Sequence, residues 1–311
     1  MSIRLIFTNK DTTTCTEADI LSFSFKKDAY LPYTRLSASF VTAADNIDNY
    51  SEMKLYIDGN LIHHGYIETL ERRKSGGKMI MYAVSSGFTA QLCRAQIEPG
   101  LKMGVSLNSL MDGFYTLPYV THEDNSDTSN YIYVKKNTAM WDAVASLSYK
   151  LCGTYPYVRG ANTVRITAFP EPVSYVYSED ECTETGIGDD YRRMNTNYHM
   201  ADINGEYGHY DLADTTALGY NFVRHIYMDL DMRFLYSPQQ ALEYRNKLDC
   251  REMRKSYCVY SGYRGEDLSD IMTVGQTAPA RIMFIEIKGS GKGVFTKVGT
   301  YIDGFTPLIN N

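Results

Sequence analysis

Three stretches of the 311-residue chain carry residue types at spacings that could do chemistry. Gly289-Ser290-Gly291-Lys292-Gly293 has the glycines and lysine of a phosphate-cradling loop, where backbone N–H groups at a helix start surround an anion. No Ser or Thr follows Lys292 to hold magnesium, and Val294-Phe295-Thr296-Lys297-Val298 reads as a strand, so the stretch is expected to be a hairpin turn. His63-His64 offers two imidazoles, but adjacent side chains on a strand point to opposite faces and cannot easily share a metal ion. Asp229 and Asp231, two apart on an expected strand, would share a face and could bind a cation or act as an acid/base pair, as in a glycosidase. Arg224 and Arg233 nearby favour plain ion pairing instead.

The acidic run Glu179, Asp180, Glu181, Glu184, Asp189 and Asp190 lacks the spacing of a calcium-binding loop and is followed at once by Arg192 and Arg193, so it reads as a solvated loop or one that docks on a basic partner. Neither H-E-x-x-H nor G-x-S-x-G occurs. The six cysteines, Cys15, Cys93, Cys152, Cys182, Cys250 and Cys258, form no C-x-x-C pair, which argues against a zinc ribbon or redox dithiol and for reduced, mostly buried thiols. Nothing in these residues assigns a catalytic, cofactor or metal site, and the expectation is that the protein is not an enzyme.

Composition narrows the classes further. A net charge of −6 argues against specific nucleic-acid binding, which needs clustered Lys and Arg, and the one short basic cluster, Arg72-Arg73-Lys74 beside Gly76-Gly77, reads as a solvated hairpin end. No run approaches the roughly 20 apolar residues of a membrane helix, and the N-terminus lacks a signal-peptide core, so synthesis in the cytoplasm is expected. Twenty-seven tyrosines stand out, and Tyr suits half-buried strands and protein interfaces.

The elements that must position these residues are mainly strands. Leu21, Phe23 and Phe25 alternate with Ser22 and Ser24, and Leu36, Ala38 and Phe40 with Arg35, Ser37 and Ser39, the period of a sheet with one buried face. Met53 to Ile57, the Asp58-Gly59 turn, a strand from Leu61 to Arg72 and another from Lys78 to Ser85 make a meander long enough to close a small barrel. Short helices follow at Ser86 to Cys93 and after a Ser106 N-cap, with Leu107, Leu110, Met111 and Phe114 at helical spacing. Thr121 to Asn130 reads as an exposed loop, Thr138 to Gly153 as a helix, and Tyr155 to Ala168 as a hairpin turning at Gly160 to Asn162. Past Pro170-Glu171-Pro172, strands are expected at Val173 to Ser178, Met200 to Glu206, Asn221 to Leu235, Tyr257 to Tyr263, Arg281 to Lys288 and Val294 to Ile302. A helix from Ser237 to about Lys255 interrupts them. Length alone favours two or three domains. The division is a first β-barrel domain over 1–90, a middle α+β module over 91–170 and a second β-barrel domain over 171–311 with a helical insertion at about 237–255.

Met53 through Gly59, His64-Gly65-Tyr66-Ile67-Glu68, and Tyr82-Ala83-Val84-Ser85-Ser86-Gly87-Phe88-Thr89-Ala90-Gln91-Leu92 together resemble the first barrel of phage tail baseplate hub proteins. Ser237 to Arg251 resembles the helix inserted in that family's second barrel, and Tyr260 to Gly275 with Ile282 to Ile302 its closing strands, while Thr183 to Leu218 matches poorly. The resemblance implies a mainly β fold in which two small antiparallel barrels per chain form a pseudo-sixfold ring as a homotrimer, adapting a sixfold tail tube to a threefold spike. It also implies the tail tube protein, a separate spike polypeptide, and other baseplate and tape-measure proteins as partners, assembly into a tail or injection particle, and no cofactor. Tyr56, Asp58, Asn60, Tyr66, Tyr227, Asp229 and Asp231 are the candidate interface residues. The competing expectation is a carbohydrate- or receptor-binding tail module, with Tyr rings and Trp141 as stacking platforms.

Overall fold

The computed structural model describes residues 1–12, 15–41, 49–75, 78–114 and 116–306. Six antiparallel strands open the chain: β1 (Ile3–Asn9), β2 (Cys15–Asp28), β3 (Arg35–Val41), β4 (Tyr50–Ile57), β5 (Asn60–Ser75) and β6 (Lys78–Gly87). They pair in the order β1-β4-β5-β6-β3-β2, and β2 returns to β1, so the sheet closes into a barrel with no free edge at that seam. Alternation fills it: Leu5, Phe7, Phe23, Phe25, Leu36, Phe40, Met53 and Leu55 point inward and are buried. Phe7 stacks on Tyr50 with ring centroids 4.7 Å apart. Between β4 and β5 the turn residues Asp58 (φ 47°) and Gly59 (φ 82°) both take left-handed backbone, the two-residue turn that Asp-Gly favours.

The expected face of β2 shifts by one residue. Phe23 and Phe25 are buried, but Leu21 is 44% exposed, because the β2–β3 register slips between Ile20 and Ser22. A bulge inserts one residue and so reverses the side to which the strand before it points.

The middle of the chain builds a separate α+β module. Helices α1 (Gln91–Arg94), α2 (Leu107–Phe114) and α3 (Met140–Cys152) accompany β7 (Gly100–Val105), β8 (Thr121–His122), β9 (Ser129–Val134), β10 (Tyr157–Arg159) and β11 (Thr163–Arg165). Ser106 caps α2 through its Oγ, which accepts the Ser109 N–H at 3.1 Å, and Ser109 Oγ accepts the Ser106 N–H in return. Gly153, at φ 68°, ends α3 as its sequence position implies. Leu92, Val105, Leu110, Ile132, Trp141, Val144, Leu147 and Val164 form the module's own core. The side chain of Phe114, like Gly76-Gly77, lies outside the described residues.

The last part adds β12 (Ser174–Tyr177), β13 (Cys182–Asp189), β14 (Asn197–Met200), β15 (Tyr210–Ala213), β16 (His225–Met228), β17 (Arg254–Ser261), β18 (Ile271–Val274), β19 (Ala280–Arg281), β20 (Phe284–Ser290) and β21 (Gly293–Tyr301), with α4 (Thr215–Leu218) and α5 (Pro238–Cys250). Strands β20-β21-β17-β13 run antiparallel, β12-β18-β19 form a second sheet, and β15-β14-β16 a third with α5 packed on it. The lobe is hydrogen-bonded to the first barrel: β20 pairs with β2 from Ser22↔Ser290 to Asp28↔Phe284. The apolar core is continuous across this seam, from Phe25 and Leu36 to Ile285, Tyr260 and Leu242. Among the described residues no helix is long and apolar enough to cross a membrane.

Several local expectations are corrected here. The acidic stretch 179–190 is not a loop: Ser178 and Glu181 form a capping box on a short 3-10 turn, and Cys182–Asp189 is a strand on β17. Its Glu and Thr residues are exposed, as is Ile187, so the strand shows no apolar alternation, as suits a sheet edge. The strand expected at Met200 to Glu206 instead lies before it, at Asn197–Met200, because Asp202 Oδ1 accepts the N–H groups of Asn204 (2.8 Å) and Glu206 (3.0 Å) and turns the chain there. Helix α5 ends at Cys250, not near Lys255, since Glu252 takes φ 61° and the chain reverses into β17. Ser237 precedes Pro238 at the start of α5 but makes no side-chain cap bond. Within 221–235 only His225–Met228 is strand, and Asp231 caps a 3-10 turn at Met232–Phe234. In the stretch expected as an exposed loop, Glu123 is buried and accepts the Ile166 and Thr167 N–H groups at 2.8 and 2.9 Å.

Candidate functional site

The strongest polar feature is a partly buried ionic cluster where the three parts of the chain meet. Lys27, near the end of β2, is buried; its Nζ pairs with Asp267 Oδ1 and donates to the Gly160 carbonyl at 2.7 Å. Asp267 Oδ2 accepts the Gly160 N–H at 2.7 Å, so one carboxylate bridges the barrel and the module. Next to it Arg159 donates from Nη2 to Asp270 Oδ1 at 2.9 Å, and Asp270 Oδ2 accepts the Asp267 N–H at 2.9 Å. Burial lowers the Lys27 pKa, and the charge and hydrogen bond of Asp267 work against that fall. The satisfied network fixes the relative positions of barrel, module and second lobe. The sequence offered no signal for it, because Lys27, Arg159 and Asp267 are far apart in the chain.

A second carboxylate clamp lies within the last lobe. Glu266, buried, accepts from the Tyr177 hydroxyl at 2.6 Å and from the Tyr260 hydroxyl, and takes the Arg264 N–H at 3.0 Å. The pair His63-His64 is likewise structural. His63 is enclosed in the barrel between Thr34 Oγ1 (2.8 Å) and Ser85 Oγ (2.9 Å), and burial pulls its pKa down to about 3. His64 faces Glu52 at 2.9 Å, so the two rings serve different partners. The glycine-rich stretch is the tight turn between β20 and β21, as expected.

The candidate interface residues fall in three places. Tyr56, Asp58 and Asn60 stand together at the β4–β5 hairpin tip, where Asp58 Oδ1 accepts the Ser2 N–H at 2.6 Å. Tyr66 lies towards the barrel's other end, under the Arg94 guanidinium and beside Phe88. Tyr227 lies on β16 of the β15-β14-β16 sheet, and Asp229 follows directly after that strand's last residue, Met228. Asp231 does not share a strand face with Asp229: it sits half-buried, held by Arg233 through bonds of 3.0 and 2.6 Å. Burial would raise its pKa, but the hydrogen bond and charge of Arg233 outweigh it and hold the carboxyl below the usual range. An acid/base pair of these two residues is therefore not formed. Arg224 is committed elsewhere, donating to the Arg192 carbonyl at 2.9 Å.

On the outer face of that sheet lies a row the sequence reading missed. Asp211 Oδ1 accepts from His199 Nδ1 at 2.6 Å, His199 Nε2 lies 2.8 Å from His225 Nδ1, and the His199 ring stacks on Tyr227 at 4.7 Å. Tyr227 is 62% exposed. Cross-strand register explains the row, since Asp211, His199 and Tyr227 are successive partners on β15, β14 and β16. The alternation Tyr198-His199-Met200 and Ile226-Tyr227-Met228 was the available signal: the flanking residues pack inward and the middle ones face out. Asp202, Glu206 and His209, on the β14–β15 connection, bring one possible ligand atom each within 4.8 Å of one another. Asp202 already serves there as the turn-holding acceptor.

Comparison with solved structures gives full-length matches. A tail protein from Neisseria meningitidis MC58 superposes with a TM-score of 0.74 at 12% identity, covering 98% of both chains. The 43 kDa tail protein of prophage MuSo2 from Shewanella oneidensis gives 0.70 at 10% identity, over 97% of this chain and 98% of that one. An E. coli component of the type VI secretion system, structurally similar to T4 bacteriophage tail proteins gp27 and gp5, gives 0.57 at 6% identity over 100% of this chain and 80% of its own. No family sequence model and no curated protein sequence matches. The chain thus carries the fold of phage tail and injection-system proteins, the group to which its sequence resemblance points.

Proposed function

We propose that the chain is a structural hub of a phage tail or related contractile injection particle. Three copies would form a ring that adapts a sixfold tail tube to a threefold spike. The observation that carries this reading is a closed six-stranded barrel hydrogen-bonded along β2–β20 to a second β lobe, with Lys27, Asp267 and Arg159 locking the middle module between them. A part that transmits load and sets symmetry needs its lobes held in one geometry, and a continuous sheet and core supply that. Full-length likeness to tail proteins supports the same reading.

The role is structural rather than catalytic, and the partners are further copies of the chain, the tail tube protein, a separate spike protein, and other baseplate and tape-measure proteins. The surfaces offered to them include the β4–β5 tip with Tyr56, Asp58 and Asn60. Light scattering on the chain co-expressed with neighbouring tube and spike proteins tests this: a mass of three copies, with both partners bound, is expected. A stable monomer that binds neither overturns it.

A second reading, a carbohydrate- or receptor-binding tail module, is favoured by one observation, the exposed row of His199, His225 and Tyr227 rings. A glycan array separates the two, because a hub shows no sugar preference.

A further inference from the structure

Two thiols face the same way on neighbouring strands. Cys182 opens β13 opposite Tyr260 of β17, and a register shift between Cys182 and Glu184 leaves Thr185 opposite Cys258. Residues two apart on a strand share a face, so Cys258 and Tyr260 project together, and Cys182 projects with them. All three pack on the same core. Cys258 is buried, Cys182 is half-buried, and both are free thiols. Burial, then the adjacent Cys182 thiol, push the Cys258 thiol up to about 12. Strand β13 is the last in its sheet, joined there to β17 alone among the described residues.

We propose that Cys182 and Cys258 are a disulfide-forming pair that fastens the edge strand β13 to β17 when the protein meets a small-molecule disulfide such as oxidised glutathione. Cys182, the accessible partner, loses its proton to water and attacks one sulfur of the oxidant. That step breaks the oxidant's S–S bond and releases one glutathione thiolate, which takes up a proton. Cys258 then loses its own proton, attacks the Cys182 sulfur of the mixed disulfide and expels the second glutathione. Two protein thiols are oxidised and one oxidised glutathione is reduced to two thiols. The second step is slow near neutral pH because little of the Cys258 thiol is ionised. Passage from a reducing to an oxidising medium is the condition under which the bond forms.

The test is peptide mass spectrometry on the folded wild-type protein after incubation with oxidised glutathione and alkylation. The expected product is a linked Cys182–Cys258 peptide, preceded by glutathione on Cys182, with linkage accelerating roughly tenfold per pH unit between about 7 and 9. The exposed Cys15 and Cys152 gain glutathione and show that the oxidant acted. In Cys258→Ser, Cys182 stops at the mixed disulfide. The proposal is overturned if wild-type Cys182 ends as a stable glutathione adduct or an unmodified thiol while Cys15 and Cys152 react, or if Cys182 links to another cysteine.

Discussion

Lys27 shows how much rests on single charges in this molecule. Its ammonium is buried, so Asp267 and the Gly160 carbonyl take the place of solvent around it. Asp267→Ala is expected to lower unfolding stability by about 3–5 kcal/mol, the usual result of stranding one member of a buried pair. The double replacement Lys27→Met with Asp267→Leu should recover much of that loss, because it leaves no unpaired charge: Arg159 and Asp270 still neutralise each other. Urea unfolding of the three proteins checks this, and equal losses in the single and double variants would contradict it. Two other groups enclosed by the fold titrate in opposite senses. The His63 pKa is depressed to about 3 from the ordinary 6.5, so the unfolded chain binds the extra proton between those limits and stability falls as pH drops through that window. Asp28, half-buried beside Tyr301, is raised to about 6 from 3.8, so the folded chain holds the extra proton and stability rises as pH drops from about 6 towards 3.8. His63→Gln should therefore flatten the acid loss, and Asp28→Asn should steepen it, in denaturation midpoints measured from pH 7 to pH 4.

At the scale of elements, strands with a clean period of two and turn chemistry in agreement were legible from the residues alone. The β4–β5 hairpin is the clearest case, where Asp58-Gly59 dictated the turn and Met53, Leu55 and Ile57 the buried face. Elements whose signal is set by their neighbours were not. Strand β13 carries charges because it lies at an edge, the β2 bulge is invisible without its partner strand, and α5 stops where Glu252 adopts a left-handed turn. The candidate interface residues were legible as turn and Tyr positions, but the row of Asp211, His199, His225 and Tyr227 exists only once three strands are in register. Close approach of strands also decides Gly65. A Cβ there would lie 2.1 Å from the Ser86 carbonyl oxygen, so Gly65→Ala must displace backbone where β5 meets β6. A loss of about 1–3 kcal/mol or more is expected. At Gly291 a Cβ meets nothing within 4 Å, so Gly291→Ala should leave the melting temperature almost unchanged, and equal effects at the two sites would contradict the packing argument.

For the whole molecule, the division of labour follows from the two cores. The middle module buries most of its apolar residues in its own core, while the barrel and the last lobe share a core across β2–β20 that Tyr149 and Tyr157 of the module also enter, so packing ties the two β-rich parts together. That is the property a symmetry adaptor requires, since two β lobes per chain can occupy alternate places around an axis only if their spacing is fixed. Electron cryomicroscopy of the chain assembled with the proposed tube and spike partners tests this claim most directly. The account predicts a ring of three chains, with six β lobes alternating round a central channel, between a sixfold tube and a threefold spike. Single chains lying on the particle's outer surface, with neither tube nor spike on their axis, would contradict it.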